Sequence, residues 1–284
     1  EYAGTDLGGL FAQRRNLLRP RFWSMLRDLA RFYREAPRDA AHAGLLPLDS
    51  YLDQKGYGRA FREDHLYPMA AAIWSTSPAR VGAYPTEAFV RFCENHYLLR
   101  LSGRPTWRTV SGGSRSYVRR LIQALGEDRV RLDSAVLEVR RVAGPGGIAL
   151  RTRQGWLDER FDQVVLATPA DQALRLLPDA QPQERELLGA FGYSRNHAVL
   201  HSDPALMPQR RSVWASWNYL ADRARPDALC VSYWMNRLQD IDPRRPLFLT
   251  LNPLVAPKPE HLIRTEVYEH PLFDGPAINA QYDL

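Results

Sequence analysis

The apolar residues of this 284-residue chain change their spacing twice, and this limits the folds that the chain can adopt. In the first hundred residues they recur every three or four positions, as in "PRFWSMLRDLARFYREA" at 20–36, which predicts helices. From Trp107 to about 190, helical and strand-like patterns alternate, and from 194 to 270 strand-like patterns dominate. The sequence therefore predicts an α/β segment between a helical part and an antiparallel sheet, a combination of α/β and α+β architecture.

Two prolines bound the first predicted helix. Pro20 stands near its start, where proline is tolerated, and Phe22, Leu29 and Phe32 fall on one face. We expect the helix to end at Pro37, because proline has no N–H group to continue the hydrogen-bond ladder.

The middle segment opens with a Gly-Gly-Ser turn at 112–114, followed by an amphipathic helix from about 114 to 125. "RVRLDSAVLEVRRV" then alternates like a strand, and "GPGG" at 144–147 predicts a hairpin turn. "DQVVLATP" at 162–169 is a continuous apolar run, as in a strand that is buried on both faces of a parallel sheet. We expect it to lie in a sheet with "RVRL" at 129–132 and to offer its carboxyl end to a ligand.

Five strand-like runs follow, separated by loops rich in Pro, Asp and Arg. They are "RNHAVLHSD", "SVWASWNYL", "ALCVSYWMN", "LFLTLNP" and "IRTEVYEH". Their patterns predict a separate antiparallel meander, backed by the helices of the first hundred residues.

Charge and composition argue against several classes of function. The net charge is +6, and since Lys55 and Lys258 are the only lysines among 38 basic residues, 36 are arginine. Their pairs are spread along the chain, whereas a nucleic-acid binder gathers them on one element, so we expect no nucleic-acid partner. No apolar run approaches the ~18 residues of a membrane helix, so we expect no transmembrane segment.

Cysteine and histidine usage argues against a disulfide framework and a metal site. Cys93 and Cys230 are the only cysteines and lie far apart, so we expect both to be reduced and packed in a core. The seven histidines show no metal-ligand spacing, and we expect no metal.

The Gly-Gly-Ser turn is open to three interpretations. A phosphate cradle is disfavoured because no lysine follows, as it would in a P-loop. A packing turn, with Ser114 capping the helix, is typical of such a sequence. The third interpretation, the edge of an active site, comes from a resemblance.

"VSGGSRSYVRRLIQALGEDRVRLDSAVLEV" and "FDQVVLATPADQAL" resemble the middle of the flavin-dependent amine oxidases, in the superfamily that includes phytoene desaturase and protoporphyrinogen oxidase. "RPTWRTVSGGSRSYV", "NHAVLHSDPALMP", "WASWNYL", "YWMNRLQ", "LTLNP" and "YEHPLFDGPAINAQ" are similar to a bacterial subfamily of NAD/FAD-binding oxidoreductases. Relatives in that subfamily occur beside, or fused to, cyclopropane-fatty-acid synthases. The resemblance implies FAD as cofactor and a functional association with such a synthase.

The resemblance implies two domains, of which the FAD-binding one is Rossmann-like. The helical part of the substrate domain would span 1–106 and its antiparallel sheet 191–270. The middle of the FAD-binding domain would span 107–190, and 271–284 would begin the return to it.

The resemblance also implies motifs that the sequence lacks. "GTDLGGL" at 4–10 does not have the G-x-G-x-x-G spacing that binds the FAD pyrophosphate, and no apolar strand precedes it. No Gly-rich segment that runs into a helix beneath the flavin is present near the carboxyl end. We therefore expect a fragment that lacks both ends of the FAD-binding domain.

Cofactor contacts can be carried over position by position from the resemblance. Val136 matches a backbone contact to the adenine end of FAD, and Ala167, Thr168 and Pro169 match a turn that places backbone against the cofactor. Each has a plainer interpretation, as a core valine and as a proline-terminated strand.

Substrate contacts follow in the same way. Arg115 and Ser116 match residues that line the cavity facing the flavin, although an arginine on the first turn of a helix commonly points to solvent. Asn196 or His197 occupies the place of the amine oxidases' lysine, which puts amine oxidation by that route in doubt and makes His197 a candidate base, or else a partly exposed strand histidine. Aromatic residues that could wall an apolar pocket, or simply fill the core, are Trp74, Trp214, Trp217, Tyr233 and Trp234.

The sequence thus predicts a cytoplasmic bacterial FAD-dependent oxidoreductase, inactive as this fragment alone, that transfers hydride between flavin and an apolar, lipid-like substrate. The alternative is a non-catalytic lipid- or partner-binding paralogue with a degenerate flavin site.

Overall fold

A computed structural model describes residues 1–4, 7–103, 105–144, 147–222, 224–225 and 227–284. The chain divides into two compact units. The first unit comprises Glu1–Thr109 and Tyr193–Gly275, and the second comprises Val110–Gly192 and Pro276–Leu284. Which unit serves the substrate and which the cofactor stays a prediction.

Helices make up the amino-terminal part of the first unit. They are α1 (Leu7–Leu10), α2 (Pro20–Ala43), α3 (Leu48–Gln54), α4 (Arg59–Phe61), α5 (Tyr67–Trp74), α6 (Pro78–Val81) and α7 (Thr86–Asn95). A π-helical stretch, Arg62–Leu66, joins α4 to α5.

Helix α2 shows where the prediction from proline was wrong. Pro37 lies inside the helix, which continues to Ala43. Ala36 and Ala40 are buried and extend the apolar stripe past the proline. Their packing outweighs the loss of one backbone hydrogen bond.

Between Val110 and Gly192, the second unit contains a three-stranded antiparallel sheet and three α-helices. Its elements are α8 (Arg115–Leu125), β1 (Val136–Arg141), β2 (Ile148–Thr152), β3 (Gly155–Trp156), α9 (Ala170–Leu176) and α10 (Pro182–Gly189). The sheet order is β1-β2-β3, and its small core gathers Val139, Leu177 and Ala180. The predicted turn at 144–147 includes 145 and 146, which lie outside the described residues.

The prediction of a buried parallel strand at 162–169 was wrong. Residues 162–168 belong to no strand and make no backbone hydrogen bond within the described chain. Val165 is 89% exposed, and Leu132, in the expected neighbouring strand, is 78% exposed. A parallel strand is buried only between neighbouring strands and covering helices, and the described residues supply none at this place.

Helix α8 also exposes its apolar side. It contains no buried residue, and four large apolar side chains three or four positions apart face solvent: Tyr117, Val118, Leu121 and Leu125. An amphipathic helix normally buries such a stripe against another layer. The second unit therefore leaves apolar side chains uncovered on this face of α8 and at Leu132, Val164 and Val165, and we call these side chains together its uncovered apolar surface.

The Gly-Gly-Ser turn before α8 needs glycine at its first two positions. Gly112 and Gly113 have φ of +81° and +78°, in the left-handed region that favours glycine. The Ser116 hydroxyl donates to the carbonyl of Ser111 at 3.2 Å and closes the turn. Ser114 makes no side-chain capping bond, so the predicted cap was wrong.

The remaining strands form one antiparallel sheet in the first unit, as predicted. They are β4 (Tyr193–His201), β5 (Trp217–Tyr219), β6 (Val231–Trp234), β7 (Phe248–Leu251) and β8 (Leu262–Pro271). The order β5-β6-β7-β4-β8 is not a simple meander, because β4 lies between β7 and β8. A short helix, α11 (Met235–Gln239), follows β6, and α12 (Gly275–Asp283) follows β8 and belongs from Pro276 onwards to the second unit.

The core of the first unit joins the helices to this sheet, which confirms the predicted backing. Leu229 and Val231 pack in one cluster with side chains of the helices. The helical members include Phe32, Leu48, Leu52, Phe61, Leu66, Val81, Phe89 and Cys93.

The substitution Gly112→Ala tests the need for glycine in the turn before α8. A β-carbon at Gly112 would lie 2.8 Å from the Ser116 hydroxyl oxygen and would hold an L side chain at positive φ. We expect the free energy of unfolding to fall by about 1–2 kcal/mol, measured by urea denaturation.

Gly189→Ala is the matched control. Gly189 ends α10, and a β-carbon there would meet nothing within 4 Å. We expect unchanged stability or a gain of at most about 1 kcal/mol. Equal losses in both variants would contradict the assignment of a strained turn.

Candidate functional site

A cleft of about 790 Å³ in the first unit is able to hold a small molecule. Its walls come from the residues after α5 (75–77), the first half of β4 (193–197), and the residues after β7 (252–254). A volume of this size suits an organic ligand. The cleft brings together both predicted catalytic candidates, Asn196 and His197.

Asn196 is 2% exposed, and its side-chain amide is fully hydrogen-bonded. Its Nδ2 donates to Ser194 and, at 3.1 Å, to Nδ1 of His270, while its Oδ1 accepts from Asn252 Nδ2 at 2.7 Å. Because protein groups engage both the Nδ2 donors and the Oδ1 of Asn196, the residue acts as a structural hub of the cleft wall.

His197 lies beside this hub with its side chain exposed. Only its backbone is fixed: its N–H donates to Asn252 Oδ1 at 2.9 Å, and its carbonyl accepts from the Asn252 N–H at 2.7 Å. Asn252 has φ of +48°, which asparagine tolerates better than most residues. The imidazole of His197 is therefore available to a molecule in the cleft.

His270 is a site residue that the sequence did not single out. It lies on β8 opposite Ser194, and burial lowers the pKa of its imidazole below the ordinary value. Since Nδ1 accepts from Asn196, the proton of the neutral ring is on Nε2. Only the strand register brings His270 to Asn196, and no sequence spacing signals that register.

A second set of hydrogen-bonded polar side chains lies on the opposite face of the sheet, away from the helices. The Asp203 N–H donates to His201 Nδ1, so the neutral ring donates from Nε2 to Thr250 Oγ1 at 2.8 Å. Ser232 Oγ donates to the carbonyl of Leu206, so the Thr250 hydroxyl donates to Ser232 at 2.7 Å. His201, Thr250 and Ser232 are fully buried, and this chain satisfies all three.

The predicted aromatic wall is divided between the two faces of the sheet. Trp74 and Tyr233 pack with the helical core, and Trp217 pairs edge-to-face with Tyr233 on the edge strand β5. Trp214 and Trp234 contact each other, and Trp214 also contacts Phe248. Because Tyr233 and Trp234 are consecutive in β6, they point to opposite faces.

Arg115 and Ser116 lie in the second unit, at the start of α8. Arg115 is exposed, and the Ser116 side chain serves the turn described above. Their predicted contact with substrate stays a prediction.

The residues predicted to hold FAD fit the cofactor only in part. Val136 begins β1 and packs against the small core, while Ala167, Thr168 and Pro169 are exposed just before α9. Their backbone is accessible to a ligand. However, the described residues form no Gly-rich turn between a strand and a helix that could hold a pyrophosphate: α1 has four residues and no strand before it.

Other features offer less chemistry. A smaller hollow of about 400 Å³ is lined by Ala12, Gln13, Arg14, Arg15 and Arg210, which provide no base or nucleophile at neutral pH. In the described ranges, no three His, Cys, Asp or Glu side chains are grouped to hold a metal ion.

No helix among those residues is long and apolar enough to cross a membrane. Both cysteines are buried, and burial raises the pKa of the Cys93 thiol to about 12.

Comparison with known proteins gives a family match over residues 15–201, to the family described as flavin containing amine oxidoreductase. No curated protein matches the chain.

Solved structures that share the fold include the following three. A CLA-producing fatty acid isomerase from P. acnes has TM-score 0.55 and 17% identity, over 89% of this chain and 63% of its own. A putrescine oxidase with redesigned cofactor binding has TM-score 0.51 and 13% identity, over 81% and 52%. Cyclohexylamine oxidase from Brevibacterium oxydans IH-35A has TM-score 0.51 and 14% identity, over 88% and 60%. The chain thus spans less than two thirds of each.

Substitutions at Asn196 and His197 test which of the two residues stabilises the fold. Asn196→Ala leaves the Asn252 amide and His270 Nδ1 without their partner, so we expect the free energy of unfolding to fall by about 1–3 kcal/mol. His197→Ala removes only an exposed side chain, and we expect a change within about 0.5 kcal/mol. Urea denaturation measures both, and a large loss in His197→Ala would contradict this division.

The burial of His201 in its hydrogen-bond chain with Thr250 and Ser232 predicts that the protein loses stability in acid. Burial lowers its pKa, and the nearby Asp203 carboxylate only partly opposes this effect. Below about pH 6.5, the ordinary histidine value, the unfolded chain binds a proton that the folded chain does not, so the free energy of unfolding falls as the pH drops towards the lowered pKa.

His201→Gln keeps a polar side chain but removes the titrating ring. We expect lower stability at pH 7.5 and a shallower decline between pH 7 and 5, measured by denaturation across that range. His270 also has a lowered pKa and stays in the variant, so part of the decline remains. An unchanged slope would refute the assignment to His201.

Proposed function

Because the chain belongs to the flavin-containing amine oxidoreductase family, whose cofactor is FAD, we propose that it forms the substrate-binding part of an FAD-dependent oxidoreductase. One observation carries this proposal: the family match reaches through β4, and His197 on that strand presents a free imidazole to a cleft of about 790 Å³. The bound flavin would exchange a hydride with an apolar, lipid-like substrate. In that reaction His197 would hold or release the substrate's proton.

In this proposal the first unit serves the substrate and the second serves the cofactor. Val136 and the exposed backbone of 167–169 would contact FAD from the second unit. Arg115, Ser116 and Trp217 are accessible enough to meet a substrate, whereas Trp74 and Trp234 would act through the packing that they provide.

We further propose that additional protein completes the second unit. Two observations support this: no layer covers the uncovered apolar surface, and no strand pairs with the backbone of 162–168 among the described residues. A dinucleotide-binding sheet would supply such a layer and such a strand, and also the missing pyrophosphate site. A cytoplasmic bacterial location and an association with a cyclopropane-fatty-acid synthase are also proposed, from the sequence resemblance alone.

A second candidate function is a lipid- or partner-binding paralogue without catalysis. The hydrogen bonding of Asn196 favours it, because protein groups already accept from Nδ2, which leaves no N–H donor to hold a water against a flavin as the amine oxidases' lysine does in the resemblance. His197 is the residue that distinguishes the two candidates.

Flavin content tests the proposal. The 284-residue chain and the product of the complete reading frame that encodes it would be purified with added FAD and compared by absorbance. We expect near-stoichiometric FAD in the complete product and little in the chain alone, since the pyrophosphate site is missing from the described residues. Tight binding of FAD by the isolated chain would contradict the proposed completion.

Anaerobic flavin reduction then separates the two functions. In the complete product, we expect His197→Ala to slow reduction by an apolar substrate by about 100-fold, in the range for loss of a general base, with flavin content unchanged. His42→Ala, which removes an exposed histidine near the end of α2 and outside the cleft lining, is the matched control and should be reduced at nearly the normal rate. A complete product that binds FAD but is reduced by no apolar substrate would favour the paralogue.

A further inference from the structure

The charged side chains that line the cleft are positive. Three arginines line it, Arg80 from α6, Arg195 from β4 and Arg225 from the loop before β6, and its lining includes no aspartate or glutamate. The only other ionisable lining side chains are His197 and Tyr193, neither of which adds negative charge at neutral pH. An anion entering the cleft therefore meets an excess of positive charge.

Arg225 is fixed in place. Its Nε donates to Asp222 at 3.0 Å and its Nη2 donates to the carbonyl of Leu254 at 2.9 Å. These bonds use part of the guanidinium and leave further N–H donors for a ligand, although Asp222 offsets part of its charge.

Arg80 and Arg195 are the less neutralised cations. Both are exposed, and neither forms an ion pair in the described part of the chain. Glu269 lies opposite Arg195 across the β4–β8 ladder without an ion pair between them there. Asp227, near α6, accepts a hydrogen bond from Ser77 through its backbone carbonyl, not its carboxylate.

Part of the lining is apolar, beside uncharged polar residues such as Ser77, Asn252 and Thr265. The apolar members are Val199 and Leu229, which are buried, and Ala228, Pro253 and Leu254. A site whose wall contains both guanidinium and aliphatic groups fits a molecule with one anionic end and an apolar body.

We propose that the cleft binds an organic carboxylate with an aliphatic body, whose carboxylate is held by Arg80 and Arg195 with Arg225 contributing. An amine is disfavoured, because its ammonium group would face three guanidinium groups. The inference rests on the proposed function in one respect, that the cleft is the substrate site. The binding itself requires neither flavin nor turnover.

Equilibrium binding tests the proposal, by isothermal titration of the 284-residue chain with decanoate, decylamine and decanol below their micellar concentrations. We expect decanoate to bind at least tenfold more tightly than decylamine or decanol. Its affinity should also fall as salt is added, because the arginines are exposed.

Variants identify the residues. Arg80→Gln and Arg195→Gln should each weaken decanoate binding about fivefold, equivalent to roughly 1 kcal/mol. Arg34→Gln is the matched control, since Arg34 is an exposed arginine of the same unit on α2, away from the cleft, and should bind normally.

Three results would overturn the proposal: equal binding of decylamine and decanoate, equal losses in Arg34→Gln and Arg80→Gln, or displacement of decanoate by inorganic phosphate at equal concentration. The last would show a site for small anions without use of the apolar wall. Failure of the proposed oxidoreductase function would be seen separately, as absent flavin or absent flavin reduction in the complete product, with decanoate binding intact.

Discussion

Strand β4 is the element on which the first unit depends, because it is paired on both sides. It pairs with β7 from Ala198 to His201 and with β8 from Tyr193 to His201. These ladders satisfy the strand's backbone groups, so its side chains alone determine what each face does. The same strand carries the hub at Asn196, the cleft residue His197 and the buried ring of His201.

The alternation of a strand explains how one short segment serves both stability and binding. Asn196 points to the side where Ser194 and His270 lie, while Arg195, His197 and Val199 share the other face with Thr265. Hydrogen bonds hold the inward residue in place, and its exposed neighbours remain free for a ligand. Function can therefore vary at Arg195 and His197 without disturbing the network that fixes the cleft wall.

Much of the first unit could be predicted from the sequence, because its signals are local. Five strand-like runs became five strands, and the helical spacing from 20 onwards became α2. The insertion of β4 between β7 and β8 could not be predicted, since alternation encodes the faces of a strand and not its neighbours. For the same reason His270 was missed beside Asn196, and the aromatic residues Tyr233 and Trp234 were assigned to one wall although they lie on opposite faces.

The second unit shows the limit of a local signal most clearly. The run at 162–169 has the composition of a strand buried on both faces, yet Val165 is almost fully exposed. Composition indicates what a segment can bury, whereas burial itself requires a partner with free backbone groups and an apolar face. Helix α8 in the same unit has no layer over its apolar side chains. The run at 162–169 has no neighbouring strand for its backbone groups, so both elements lack a packed neighbour. A single further sheet layer, as in the proposed completion of the second unit, would supply both a strand neighbour for the run at 162–169 and an apolar face for α8.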